Sequence, residues 1–109
     1  MPSAAYQLIR EAMFAEKQIV CSYDGHRREL CPIVVGHSGK EEKLLAYQIG
    51  GTSSKGLPPG GQWKCLSVGK IRDVTLRQGP WREGQRHSQE ERCVSDVDID
   101  INIHVRKLR

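Results

Sequence analysis

The first chemistry this sequence offers is a row of carboxylates, Asp96, Asp98 and Asp100, in the stretch SDVDIDINIHVR at residues 95–106. Carboxylates at that density suggest a divalent cation or a general acid–base pair. The alternation argues against both. In an extended chain, residues two apart share a face and lie about 7 Å apart, whereas calcium or magnesium needs its oxygens within about 2.1–2.6 Å. Two adjacent aspartates could lean toward one ion, but Asp96 and Asp100, about 13 Å apart along a strand, could not both reach it. Neighbouring carboxylates facing water repel by only about 0.6 kcal/mol, less with salt. The row therefore reads as the wet face of a strand whose other face is Val97, Ile99, Ile101, Ile103 and Val105.

The other reactive side chains are scattered. Cys21, Cys31, Cys65 and Cys93 form no C-x-x-C pair, and no two histidines stand at finger-like spacing. Cys21 and Cys31 fall in expected strands as small apolar residues, and all four are expected as thiols, not bridges. Cys31, His37 and Cys93 are the set from which a long-range zinc site could be built, but no metal or other cofactor is expected. Gly50–Gly61, GGTSSKGLPPGG, has the G-x-x-x-x-G spacing of a phosphate loop, yet Leu57-Pro58 stands where Lys and Ser/Thr should hold phosphate and magnesium. That stretch is a flap or a plain linker. His26, His37, His87 and His104 have no recognisable catalytic partner, and no nucleophile elbow or dinucleotide fingerprint is present. Nothing here points to an enzyme.

The elements that would position these residues follow from periodicity. Ser3 is a candidate N-cap, and Ala5, Leu8, Ile9, Ala12 and Ala15 make one stripe of a helix over 4–17. Short strands follow at 18–23, 28–35, 44–49, 63–68 and 71–76, punctuated by Asp24-Gly25, by a turn at Gly36–Gly39 and by Gly69. With 96–106 that makes about six strands after one helix, spaced as in a small barrel. The expected fold is mainly β: one domain over 1–109, with the helix at 4–17, a barrel at about 18–77, a polar loop at 78–93 and a C-terminal strand at about 96–106. In the loop, Trp81 either anchors onto the barrel or stacks on a base.

Composition agrees with a globular chain of lean core: 109 residues, 38% hydrophobic, 28% charged, one Phe. No apolar run approaches the roughly 18 residues that cross a bilayer, and the N-terminus lacks the basic and apolar regions of a signal peptide. A cytoplasmic location and no membrane partner are expected. Net charge is +4 and the pI about 9.0, a mild excess that suits an anionic partner.

From Leu8 to Ile71 the chain resembles the WYL domain, a small Sm-like or SH3-like β-barrel found mostly in bacterial transcription regulators. The resemblance is carried by Leu8 and Ala12 in the lead helix, Tyr23 at the end of the first strand, Arg28-Glu-Leu-Cys-Pro32 and Leu44-Leu-Ala-Tyr47. It is carried further by Lys64-Cys-Leu-Ser-Val-Gly-Lys-Ile71. Glu42 and Lys43 stand where the name-giving Trp and Tyr would be, no helix-turn-helix precedes the domain, and lysine replaces arginine at 64 and 70. The segments GPW, RHS and VDIDIN are similar to those of small bacterial proteins that look like stand-alone WYL relatives.

The resemblance implies a ligand-sensing or regulatory module that binds a nucleotide or a short single-stranded nucleic acid through Tyr23, Arg28, Tyr47, Lys64 and Lys70. Arg28 offers a planar fork for phosphate and Lys64 a point charge. The competing reading pairs Arg28 and Lys64 with Glu29, Glu41 or Glu42 on a solvated surface. A second functional reading is a protein-interaction module, or a homodimer, that uses the long C-terminal strand as its pairing edge.

Overall fold

The computed structural model describes residues 3–51, 62–79 and 93–100. The one α-helix among these residues, α1 (Ala4–Ala15), starts where the hydroxyl of Ser3 accepts from the backbone N–H of Tyr6 at 3.2 Å. It stops at Glu16, whose φ of 55° is left-handed, earlier than the expected residue 17. The buried stripe is Tyr6, Ile9, Ala12 and Met13, rotated from the expected one. Ala15 is exposed and Leu8 only half-buried, because the bulk of Tyr6 and Met13 covers more of the sheet than alanine can.

Six strands follow: β1 (Gln18–Tyr23), β2 (His26–Ser38), β3 (Glu41–Gly51), β4 (Gln62–Ser67), β5 (Arg72–Arg77) and β6 (Asp96–Asp100), with a 3₁₀ turn at Val68–Lys70. All pairings are antiparallel, in the order β4-β3-β2-β1-β5, and β6 joins the C-terminal half of β2. Asp24 and Gly25 both have positive φ, 53° and 76°, and close the β1–β2 hairpin as the sequence predicts.

One expectation about these strands needs correcting, and another is met in its coarser part. The turn placed at Gly36–Gly39 starts later, because β2 runs on through His37 to gain a second neighbour in β6. Gly36 is needed there: a Cβ would meet the carbonyl oxygen of Asp96 at 2.1 Å. The mainly β, antiparallel fold with one N-terminal helix is as expected; among the described residues β4 and β5 end the sheet without pairing to each other, so the sheet is not closed. It still curves, since the backbone N–H of Ser67 on β4 donates to the Tyr23 hydroxyl on β1 at 3.1 Å, across the two strands between them. Bulges near Glu29/Leu30 and Pro32/Val34 supply that bend. The core lies between the sheet and α1, with Ile19, Leu30, Ile33, Leu44, Leu45 and Leu66 among its large side chains.

The aspartate row is also revised. Between the pairs Val35↔Ile99 and Gly36↔Val97, β6 advances two residues while β2 advances one, so Asp98 is a bulge. The bulge breaks the alternation: Val97 is 50% exposed while Ile99 and Asp100 are buried, Asp100 at 8%. The continuation over 101–106 lies outside the described residues, as do the 52–61 part of the glycine-rich stretch and the 80–92 part of the polar loop.

Candidate anion-binding site

Five side chains carry the sequence expectation, and the structure brings some of them together. Cys21 and Arg28 face each other across the β1–β2 hairpin, next to the pair Tyr23↔His26. Side chains of facing residues share a face, so the Arg28 guanidinium turns inward beside Cys21. Its Cζ lies 5.5 Å from the centre of the Tyr23 ring, a cation–π contact worth about 0.5–2 kcal/mol. Lys64 pairs across from Ala46, two residues before Gln48 on β3, which places Lys64 and Gln48 on one face of the sheet. Tyr47 has the opposite parity and meets Trp63 edge-on, with ring centres 5.3 Å apart. Lys70 is exposed at the end of the 3₁₀ turn, where its charge acts on Glu41. Tyr47 and Lys70 therefore do not join the Arg28 cluster.

Arg28 is the unusual member. It is only 7% exposed, and among the described residues it has no carboxylate partner. The carboxylates that the surface reading assigns to it are engaged elsewhere. Glu29, on the opposite face, accepts from Arg77 Nη2 at 2.9 Å and from Arg27. Those bonds, Arg77 first, hold its carboxyl below the usual range. Glu41 binds Lys43 at 2.8 Å and the Ser67 hydroxyl at 2.8 Å, and the bond to Lys43 leads in lowering its pKa. Glu42 accepts from the backbone N–H and the hydroxyl of Ser3 at 3.0 and 2.6 Å. The expected Arg28 ion pair is thus replaced by a neutral contact, in which Arg28 Nη1 donates to Gln48 Oε1 at 3.2 Å.

Gln48, fully buried, is a residue that the sequence reading passed over. The signal was present, since one amide interrupts the otherwise apolar run Leu44–Ile49. Its Nε2 donates to the Gly50 carbonyl at 2.9 Å, which turns its Oε1 toward the guanidinium. Among the described residues Arg28 Nε is left without a hydrogen-bond partner. A buried donor in that state costs about 1–3 kcal/mol, so the arrangement is expensive unless an acceptor arrives. Cys21 is not that acceptor: burial pushes its thiol up to about 11, against a smaller opposite pull from Arg28.

A second polar cluster lies at the far end of β2. Tyr6, Arg10, His37, Asp96, Val97 and Asp98 line an open cleft of about 300 Å³. The Tyr6 hydroxyl and Arg10 Nη1 both donate to Asp98 Oδ2, at 2.8 and 3.0 Å, and the Tyr6 ring lies 5.5 Å from that of His37. Burial and the Asp98 bond raise the Tyr6 pKa above its ordinary value. Asp98 is therefore a clasp between β6 and α1, not part of a uniform wet face.

The cysteine expectation is corrected in part. Cys65 and Cys93 form a disulfide, with their Cα atoms 5.7 Å apart, while Cys21 and Cys31 are buried thiols. Residues 28 apart in sequence meet because β4 and the segment leading into β6 converge. The bridge removes Cys93 from the zinc set, and no group of three metal-ligating side chains occurs among the described residues. No helix among the described residues is long and apolar enough to cross a membrane. Comparison of the chain with protein-family models, with curated proteins and with solved structures finds no match.

Proposed function

We propose that this chain is a ligand-sensing module of WYL-like, Sm-like or SH3-like kind, which binds an anion at Arg28. The observation that carries the reading is a buried guanidinium with no carboxylate partner among the described residues. Burying a charge is costly unless it is paired, and a bound anion would supply the pair. The net charge of +4 draws anions to the surface, and Lys64, on the face of Gln48, adds a second positive charge. The ligands in view are a nucleotide or a short single-stranded nucleic acid, with a regulatory role; the expected cytoplasmic location meets one contrary observation. The Cys65–Cys93 bridge weighs against a reducing compartment.

The test is fluorescence anisotropy of labelled single-stranded DNA, RNA and a mononucleotide at low and moderate salt. Wild type is compared with an Arg28→Ala/Lys64→Ala variant. Salt-sensitive binding that the folded variant loses supports the reading; binding that survives in the variant removes the site from Arg28.

One observation favours the second reading, assembly through the C-terminal strand. Among the described residues β6 pairs only with β2, and Val97 on it is half-exposed. An open edge of this kind accepts another strand. A light-scattering mass of one chain at micromolar concentration would remove a homodimer from consideration.

A further inference from the structure

We infer that Arg28 receives a single terminal oxyanion, the carboxylate or phosphate monoester of a small molecule, on its Nε/Nη2 edge, with Gln48 as the positioning residue. The inference rests on the anion-binding reading and narrows its ligand class.

A guanidinium can give two parallel N–H bonds to the two oxygens of one oxyanion from either of two edges, Nε with Nη2 or Nη1 with Nη2, and the first is the one that leaves Nη1 to another partner. Nη1 lies on the other side, and that is the atom Gln48 engages. Among the described residues Nε has no partner, and the hydrogen bond that Arg28 makes goes through Nη1. The chain has thus used Nη1 to fix the fork in place and left Nε buried and without a partner among the described residues, so an anion reaches it by displacing what covers it. The Tyr23 ring lies 5.5 Å from the guanidinium carbon and is part of that cover. Gln48 suits this task better than a carboxylate, because it orients the guanidinium without cancelling its charge. Its Nε2 donates to the Gly50 carbonyl, and its Oε1 is the atom that faces Arg28.

Burial then selects the kind of anion. Arg28 sits inward on a face shared with Cys21 and Leu30. A phosphodiester carries substituents on two sides, and its chain must both enter and leave. A terminal group needs to enter only once. The inward position therefore favours a group at the end of a molecule over a repeating backbone.

The probes are inorganic phosphate, adenosine 5′-monophosphate, succinate, and a single-stranded oligothymidylate with and without a 5′-phosphate. Each is titrated into the full chain by calorimetry. The inference expects the monoester or the dicarboxylate to bind and, where the phosphate probes bind, the 5′-phosphorylated oligonucleotide to bind at least about tenfold tighter than its 5′-hydroxyl twin. Binding by the phosphate probes alone identifies a monoester as the ligand, and binding by succinate alone a carboxylate. Arg28→Lys keeps the charge, loses the fork and should lose this preference. Gln48→Leu should weaken binding while the far-ultraviolet spectrum stays that of the wild type. Equal, Arg28-dependent binding of the two oligonucleotides overturns the terminal-group inference and leaves the anion site standing. No binding of any probe overturns both. The wild-type comparison decides the matter even if a variant fails to fold.

Discussion

Removing the Cys65–Cys93 bridge gives the most direct reading of how this fold is held. The cross-link spans 28 residues and ties β4 to the segment that leads into β6. In the chain-entropy account, a loop of that length lowers unfolded-state entropy by about 12 cal/mol/K, or about 3.6 kcal/mol at 25 °C. For a chain of 109 residues the unfolding entropy is about 230 cal/mol/K, so the same loss lowers the Tm by about 15 °C. The assay is thermal unfolding followed by circular dichroism. Oxidised protein is compared with protein in a phosphine reductant and with a Cys65→Ser/Cys93→Ser variant. A thiol count in denaturant without reductant should find the two free cysteines, Cys21 and Cys31, and not four. Reduced and oxidised forms melting within a degree or two of each other would refute the reasoning, as would four reactive thiols. Total stability of a domain this size is only about 5–15 kcal/mol, so the bridge is a large share of it.

Two further outcomes follow from the same packing. Gly36→Ala places a methyl 2.1 Å from the Asp96 carbonyl oxygen and 2.7 Å from Val94 Cγ1. β6 must shift from β2, and denaturant titration should show a loss of about 1–3 kcal/mol or more. Burial raises the Cys21 thiol from 9.0 to about 11, so the folded state holds that proton longer than the unfolded one. Its contribution is intact below about pH 9 and is lost as the pH climbs toward 11. Cys21→Ala should flatten that part of the stability–pH curve, measured by urea unfolding from pH 8 to 11.

Much of the secondary structure was legible along the chain. Ser3 announced the helix start, Asp24-Gly25 the first hairpin, and five strand positions came from periodicity and turn residues, because those signals act between near neighbours. The helix stripe and the aspartate face were read one step wrong for the same reason. Periodicity assumes a regular element, and whether Tyr6 or Ala15 faces inward depends on what the sheet offers. A single bulge at Asp98 broke the expected alternation of β6, leaving Val97 exposed and Asp100 buried while Ile99 stays inside as expected, and nothing local in VDID marks it.

The candidate site divides in the same way. Arg28 and Tyr23 were picked out in sequence, but their meaning came from the cross-strand register that sets Arg28 beside Cys21 and under Tyr23. Which of Glu29, Glu41 and Glu42 would take an arginine is a question of distance, and Arg77, Lys43 and Ser3 won them. The cysteine pairing was invisible for a similar reason, since loop closure over 28 residues leaves no trace in spacing. By itself the sequence determined the class of fold, one helix followed by antiparallel strands, and the residues capable of binding an anion. Only the tertiary structure decided which charges are paired and that Arg28 is buried without a carboxylate among the described residues, because pairing depends on positions that the chain reaches only after its strands are in register.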